Sequence, residues 1–371
     1  MEINIEDYIS LLIKFPKDKL GVGLEPSFEK SKMDHQPMTY AIIISSETLH
    51  YMYLPNEDSK YRIIKGVDWL INNSDKNNDG CPGWGLPQPW DAFSDGSINP
   101  AHHPYTITTA FVIKGLIDAI SLKSFWSETK LEKIYNLLRK ASLFWCNKVW
   151  TGDQKGGYFW YSISSNDNYF VPNVSAMFLG SLVELITECE FIFTTVEINN
   201  IKQKIDRAAK AVIENVNYYD DMPFWNYSVK LPIRSSSIPN DLVHHIYILW
   251  GMEKYRYLDS VSLPWSLEKA VKSIDSFYRA NYFYAYPQFK SYLKMKVTLR
   301  NRPARLWGIG MALAFYGKNK KIKKVEKVWE ILKSKYNYPD LRLWPIQLSS
   351  DKNFYPRFAA HVLYGLSHNI F

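Results

Sequence analysis

A chain of 371 residues that is 46% hydrophobic and 22% charged has an ordinary globular composition and can bury a large core. Its 45 Lys and Arg against 37 Asp and Glu leave a net charge of +8, which admits nucleic acid, an anionic surface or an acidic substrate as partner. Three scattered cysteines (Cys81, Cys146 and Cys189) form neither a disulfide framework nor a zinc pattern, and no apolar run is long enough for a membrane span.

The chain starts with an acidic stretch, Met1 to Asp7, that has no apolar leader core, so the cytoplasm is the expected compartment. An amphipathic segment, Ile5 to Phe15, follows. After Pro37 comes the first long apolar segment, Met38 to Leu54, then an amphipathic one, Tyr61 to Asn72. A long loop, Asp75 to His103, leads to Pro104, the apolar segment Tyr105 to Ser121 and the amphipathic segment Thr129 to Lys148. The same order recurs with Pro172, Asn173 to Thr187 and Ile201 to Asn215, and with Pro239, Asn240 to Tyr255 and Leu267 to Ala280. It recurs again with Pro303, Ala304 to Tyr316 and Lys321 to Lys335, and closes with Pro356 and Arg357 to Ile370.

The six prolines are spaced by 67, 68, 67, 64 and 53 residues. Proline is tolerated at the first helical position because that N–H has no intrahelical partner, so each predicts a helix start. The segments they open are apolar around most of the helix and carry small residues such as Ala110, Gly115, Gly180 and Gly310, as buried, closely approached helices do. An aromatic knot follows each complete amphipathic segment: Gly83-Trp84-Gly85, Tyr158 to Tyr161, Phe224 to Tyr227, Tyr284 to Tyr286, and Leu343-Trp344-Pro345.

Six buried helices alternating with amphipathic ones, with Ile5 to Phe15 as the sixth, predict an all-α (α/α)6 toroid: an inner ring inside an outer ring, over a single domain, 1–371. An open solenoid is the competing arrangement, but its helices would not differ so much in polarity. In this pattern the chain resembles the (α/α)6-toroid superfamily. That group includes six-hairpin glycosidases, alginate- and chondroitin-type lyases, the helical domain of uronyl C5-epimerases, and the terpenoid cyclase and prenyltransferase toroids. Lys65 to Leu70 followed by Asp79 to Trp84 is similar to one degenerate copy of the terpenoid-cyclase Gln-Trp repeat. The resemblance implies a cleft at the end where the inner helices begin.

Six converging helix N-termini favour anions there. The loops reaching that end supply the candidate site. The second is the richest, with Trp84, Trp90, Asp91, Asp95, His102 and His103 ahead of Tyr105; Trp84, Trp90, Asp91 and His103 are expected in one pocket. His35 lies in the first loop, Asn173 opens the third helix, and Asn240 and Asp241 open the fourth, after Arg234 and Ser235 to Ser237. Arg300, Arg302, Arg305 and Trp307 surround the fifth start, and Tyr355 and Arg357 the sixth. Proton transfer suits His103, Tyr105, Asp91, Asp95 and His35 as catalytic groups. Trp84, Trp90, His102, Asn173, Asn240, Asp241, Arg302, Arg305, Trp307, Tyr355 and Arg357 suit substrate binding. Arg binds carboxylate or phosphate bidentately, so these arginines point to an anionic substrate unless they pair with Asp241, Asp91 or Asp95. His244, His245 and His361 lie one turn into their helices and read as hydrogen-bonded core residues. Asp75, Asn77 and Asp79 match the first half of a calcium loop, but position twelve is Leu86, so no metal or other cofactor is expected.

The expected function is a carbohydrate-active enzyme acting on a glycan that is expected to be acidic and uronate-containing. Two chemistries compete. A lyase or epimerase abstracts a proton beside the carboxylate, with His103 or Tyr105 as base. A hydrolase needs two carboxylates, with Asp91 or Asp95 opposite Asp241. The alternatives are a terpenoid-type cyclase or (de)hydratase on an apolar substrate, whose acidic motifs are missing, and a non-catalytic glycan-binding scaffold. The expected partner is a small-molecule or oligosaccharide substrate, with no nucleic-acid motif present.

Overall fold

A computed structural model of the chain describes residues 3–25, 33–153, 156–228, 239–258, 262–289 and 301–370. Six inner helices run Pro37–Tyr53 (α2), Thr106–Ile120 (α4), Pro172–Glu188 (α6), Leu242–Arg256 (α8), Leu306–Lys318 (α10) and Pro356–Ser367 (α12). The outer helices are Ile5–Leu12 (α1), Glu57–Asn72 (α3), Glu128–Lys148 (α5), Thr195–Glu214 (α7), Leu267–Asp275 (α9) and Ile322–Lys335 (α11). Each inner helix packs on the next, and α12 packs back on α2, so the ring is closed. This is the (α/α)6 toroid. The N-terminal helix α1 packs on α12 as the sixth outer helix, and Lys14 is ion-paired to Asp340 at 2.5 Å. Among the described residues no helix is long and apolar enough to cross a membrane.

Closure depends on backbone approach. Gly180 on α6 meets Gly251 on α8, where an added Cβ on Gly251 would stand 1.9 Å from the Ala176 carbonyl oxygen. Only glycine allows the two helices this distance.

The prolines mark the helix starts in two ways. Pro37, Pro172 and Pro356 occupy the first turn as expected. Pro104, Pro239 and Pro303 instead lie two or three residues ahead of their helices, in β-bridges to Gly85, Asn226 and Tyr284. The residue after each proline donates its N–H to the preceding knot or the strand leading into it: Tyr105 to the Trp84 carbonyl at 3.0 Å, Asn240 to Trp225 at 2.9 Å, Ala304 to Phe283 at 2.9 Å. The first helical N–H then reaches the following knot, as Thr106 to the Tyr161 carbonyl at 3.0 Å and Leu306 to Leu343 at 3.0 Å. Consecutive hairpins are laced together at the end where the inner helices begin.

Other boundaries moved for local reasons. Helix α7 starts at Thr195, ahead of its apolar stripe, because Thr194 and Glu197 form a capping box; α3 likewise starts early behind the Asn56 cap. Helix α9 stops at Asp275 and does not reach Ala280. Ala280 and Asn281 have φ of 49° and 65° and turn a two-stranded hairpin, Tyr278–Arg279 with Tyr282–Phe283. Similar ribbons follow α5 and α7, and each leads into an aromatic knot. The knots anchor the outer helices too: the Trp84 and Trp225 indole N–H groups donate to the Leu70 and Val212 carbonyls at 2.9 and 2.8 Å.

Candidate active site

All six inner-helix N-termini open on one cavity of about 300 Å³. That is the lower end of the range of small-molecule sites. The helix starts contribute Met38, Tyr105, Asn173, Asp241, Arg305 and Arg357, the knots contribute Tyr161, Tyr227, Tyr286 and Trp344, and the long second loop contributes Trp90. Each hairpin therefore supplies one polar or apolar helix-start residue, and five supply an aromatic ring.

Asp241 caps α8 by accepting the His244 backbone N–H at 3.2 Å, and the same Oδ1 lies 2.7 Å from His244 Nδ1. Burial would raise the Asp241 carboxyl, but the His244 ring and backbone and the Arg305 charge hold it below the usual range. The carboxylate fixes Nδ1 as the protonated nitrogen, which leaves Nε2 as an acceptor. Nε2 has no hydrogen-bond partner among the described residues. The ring is boxed by Tyr227 and Trp307 at 5.3 and 5.7 Å between centres.

The three arginines differ. Arg357 is paired with the buried Glu25 at 2.7 Å and lies over the Trp307 ring at 5.3 Å. Arg302 and Arg305 both stack on Trp344, each 5.3 Å from its ring centre. Among the described residues neither has an ion pair, and the alternative pairing with Asp241, Asp91 or Asp95 is absent. The adjoining sequence 290–300 contains no Asp or Glu. Burial, then the Arg302 and Arg357 charges, lower the proton affinity of Arg305, so its charge is held at an electrostatic cost that an anion would relieve. Asn173 is 2% exposed, and among the described residues its buried Oδ1 has no partner.

Of the residues expected at the site, Trp90, Tyr105, Asn173, Asp241, Arg302, Arg305, Trp307 and Arg357 line the cavity. The rest do not. Trp84 is 1% exposed in the core, so the grouping of Trp84, Trp90, Asp91 and His103 is replaced by Trp90 alone. Asp91 accepts N–H groups of its own loop, from Phe93 at 3.2 Å and Gly96 at 2.9 Å. Asp95 likewise accepts from Ser97 at 2.9 Å. His103 is buried behind Tyr105 with Nε2 2.9 Å from Ser162 Oγ, which in turn donates to Asp167 at 2.5 Å. His102 sits in that loop at φ 64°. His35 stacks on Trp69 and is 2.7 Å from the Tyr40 hydroxyl. Asn240 donates to the Asn226 carbonyl at 3.4 Å, and Tyr355 to Asp351 at 2.8 Å. Asp75 and Asp79 take up loop N–H groups of Asp79, Gly80 and Cys81. Among the described residues no group of three or more His, Cys, Asp or Glu could hold a metal. Arg234, Ser235 to Ser237 and Arg300 lie outside the described residues.

His244 is the residue that pattern reading missed. His245 and His361 are core residues as expected, with hydrogen bonds to Ser273 at 2.7 Å and to the Tyr247 hydroxyl at 2.6 Å. His244 points the other way, into the cavity. The available signal was its spacing of three from the helix-capping Asp241. Tyr161, Tyr227 and Tyr286 were visible only as knot aromatics, and Glu25 carried no signal.

No family model matches the chain, and no curated protein matches it. Solved structures do. A sugar epimerase from a ruminal bacterium is similar at 13% identity over 97% of this chain and 95% of its own, with a TM-score of 0.62. Cellobiose 2-epimerase from Spirochaeta thermophila matches at 9% identity, 98% and 96% coverage and a TM-score of 0.60. Unsaturated glucuronyl hydrolase from Streptococcus agalactiae matches at 10% identity, 99% and 91% coverage and a TM-score of 0.60. At these identities the likeness establishes the shared toroid.

Proposed function

We propose that the protein is a carbohydrate-active enzyme that abstracts a proton from a carbon beside the carbonyl or carboxyl group of a small acidic sugar. The Asp241–His244 pair carries this reading: a carboxylate 2.7 Å from Nδ1 orients the imidazole and leaves Nε2 facing the cavity as a base. Arg302 and Arg305, on the Trp344 face, would hold the sugar's anionic group, and the tyrosine and tryptophan rings would take its apolar face. The structural neighbours that are sugar epimerases favour the same chemistry.

Hydrolysis is less well served. It needs one free carboxylate and one carboxylic acid across the bond. Among the described residues the cavity carboxylates are Glu25, paired with Arg357, and Asp241, paired with His244. Asp91 and Asp95, the expected partners, are taken up by their own loop. The test is proton exchange in D2O, read by NMR, on D-glucuronate, D-galacturonate, D-mannose and cellobiose. Exchange at one carbon with wild type, reduced about 100-fold or more by His244→Asn, is expected. Glycosidic cleavage without exchange would replace the reading with hydrolysis. Tight binding with neither would favour a scaffold.

A further inference from the structure

Two of the tyrosines that line the cavity have a polarity fixed by hydrogen bonds. The His361 Nδ1 lies 2.7 Å from the Arg357 backbone carbonyl, which only accepts, so Nδ1 carries the hydrogen and Nε2 a lone pair. Burial pushes this imidazole down to about 3, so the ring is neutral and Nε2 stays an acceptor. The Tyr247 hydroxyl, 2.6 Å from that Nε2, therefore donates to it. Its one hydrogen is committed there, and among the described residues nothing donates to its oxygen. Tyr105 is the opposite case. The Asn99 amide donates to Asp167 at 2.7 Å and to the Tyr105 oxygen at 3.3 Å, which leaves Tyr105 its own hydrogen.

Tyr247 belongs to the floor of the cavity. It lies three residues beyond His244, one turn further into α8. Helix α10 packs between α8 and α12, so the Tyr247–His361 bond reaches across the interior of the ring. Phe111 of α4 packs edge-on against both rings, at 5.2 and 5.9 Å between centres, and Trp307 of α10 packs edge-on against His361 at 6.2 Å. Side chains of four inner helices thus meet beneath the helix starts. His361 is fully buried, whereas Tyr247 lines the cavity. The His361 bond and the Phe111 contact hold the phenol in one place.

We propose that Tyr247 is a specificity residue of this cavity: its oxygen accepts a hydrogen bond from a ring hydroxyl of the substrate and excludes any group there that can only accept. The inference rests on the reading of the cavity as the site of a small acidic sugar. An ether, a fluorine or a carboxylate at that position would set lone pair against lone pair away from water, which disfavours the wrong ligand by repulsion as well as by the lost bond. The sugar's acidic group is therefore turned from the floor toward Arg302 and Arg305 at the start of α10, and the two ends together fix which way round the sugar lies. The His244 and Tyr247 rings are 6.1 Å apart between centres, so one small sugar meets both. The hydroxyl that Tyr247 holds is then close to the carbon that gives its proton to His244.

The experiment uses the full chain, titration calorimetry, and D-glucuronate with its monodeoxy and monodeoxyfluoro analogues at each ring hydroxyl. At one position the deoxy analogue should bind wild type about tenfold more weakly than the parent, and the deoxyfluoro analogue about 100-fold more weakly, because fluorine accepts and cannot donate. Tyr247→Phe should bind the parent and that deoxy analogue alike. His361→Leu keeps Tyr247 but removes its acceptor, so the freed phenolic hydrogen should reverse the order and favour the deoxyfluoro analogue over the deoxy one. A purely structural Tyr247 would leave these orders unchanged. Equal binding of the deoxy and deoxyfluoro analogues at every position in wild type would overturn the assignment, and needs no variant to fold. A Tyr247→Phe protein that still prefers the hydroxyl would overturn it too. Binding with the expected order but without proton exchange in D2O would overturn the proton-abstraction reading and leave Tyr247 standing; no binding of glucuronate or any analogue would overturn both.

Discussion

Replacing Arg305 separates an anion-binding role from a structural one, because the first predicts little change in stability and a large loss of affinity, and the second the reverse. Arg302 and Arg305 each lie 5.3 Å from the Trp344 ring centre, so their charges are no more than about 11 Å apart. At an effective dielectric constant near 20, like charges at that distance repel by about 1.5 kcal/mol. Arg302 is exposed, so solvent screens part of this. Arg305→Ala also loses a cation–π contact of about 0.5–1 kcal/mol. The attraction of Arg305 for Asp241 offsets part of the rest, so the net change in the unliganded protein is no more than about 1 kcal/mol, a shift in Tm within about 2 °C and not the loss of several degrees that a structural cation would give. Binding should change far more. A hydrogen bond to a charged group contributes about 1.5–3 kcal/mol, so affinity for D-glucuronate should fall about 10- to 150-fold, with little change for D-glucose. Titration calorimetry at two salt concentrations and a thermal melt make the measurement. A Tm several degrees lower with unchanged affinity for glucuronate would refute the reasoning and make Arg305 a structural cation.

Gly251→Ala should destabilise the chain by roughly 3 kcal/mol or more, because its Cβ would lie 1.9 Å from the Ala176 backbone oxygen and α8, which carries His244, would have to move; a melt within 1 °C or so of wild type would count against the close approach. Stability should also fall with acid. Burial pushes the imidazoles of His245, His361 and His368 down to about 3, whereas unfolded histidine takes its proton near 6.5. Between these values the unfolded chain binds more protons, so stability present above about pH 6.5 is lost as the pH falls toward 3. Melts from pH 7 to 4 should show this slope, and His245→Gln, which can still bond Ser273, should flatten it; equal slopes in both proteins would refute it.

The sequence by itself determined the toroid. Apolar segments such as Met38 to Leu54 and Asn173 to Thr187 can only be buried, and amphipathic ones such as Ile201 to Asn215 can only cover them. These are properties of consecutive residues, and six recurrences leave little freedom in how they pack. The position of the cavity followed as well, since parallel inner helices begin at one end. Which side chains enter it was decided by tertiary structure alone. His103 and His244 both sit near an inner-helix start, yet Ser162, brought in from the next hairpin, holds His103 in the wall. The capping Asp241 holds His244 at the cavity. Arg357 and Arg302 carry the same charge, yet Glu25, 332 residues away in the chain, neutralises one and leaves the other open. Asp91 and Asp95 looked catalytic by type, but short loops let carboxylates take their own backbone N–H groups first, and only the folded loop reveals that. Partners this distant in sequence leave no local pattern, because each contact is made by the closed ring and not by the helix that carries the residue.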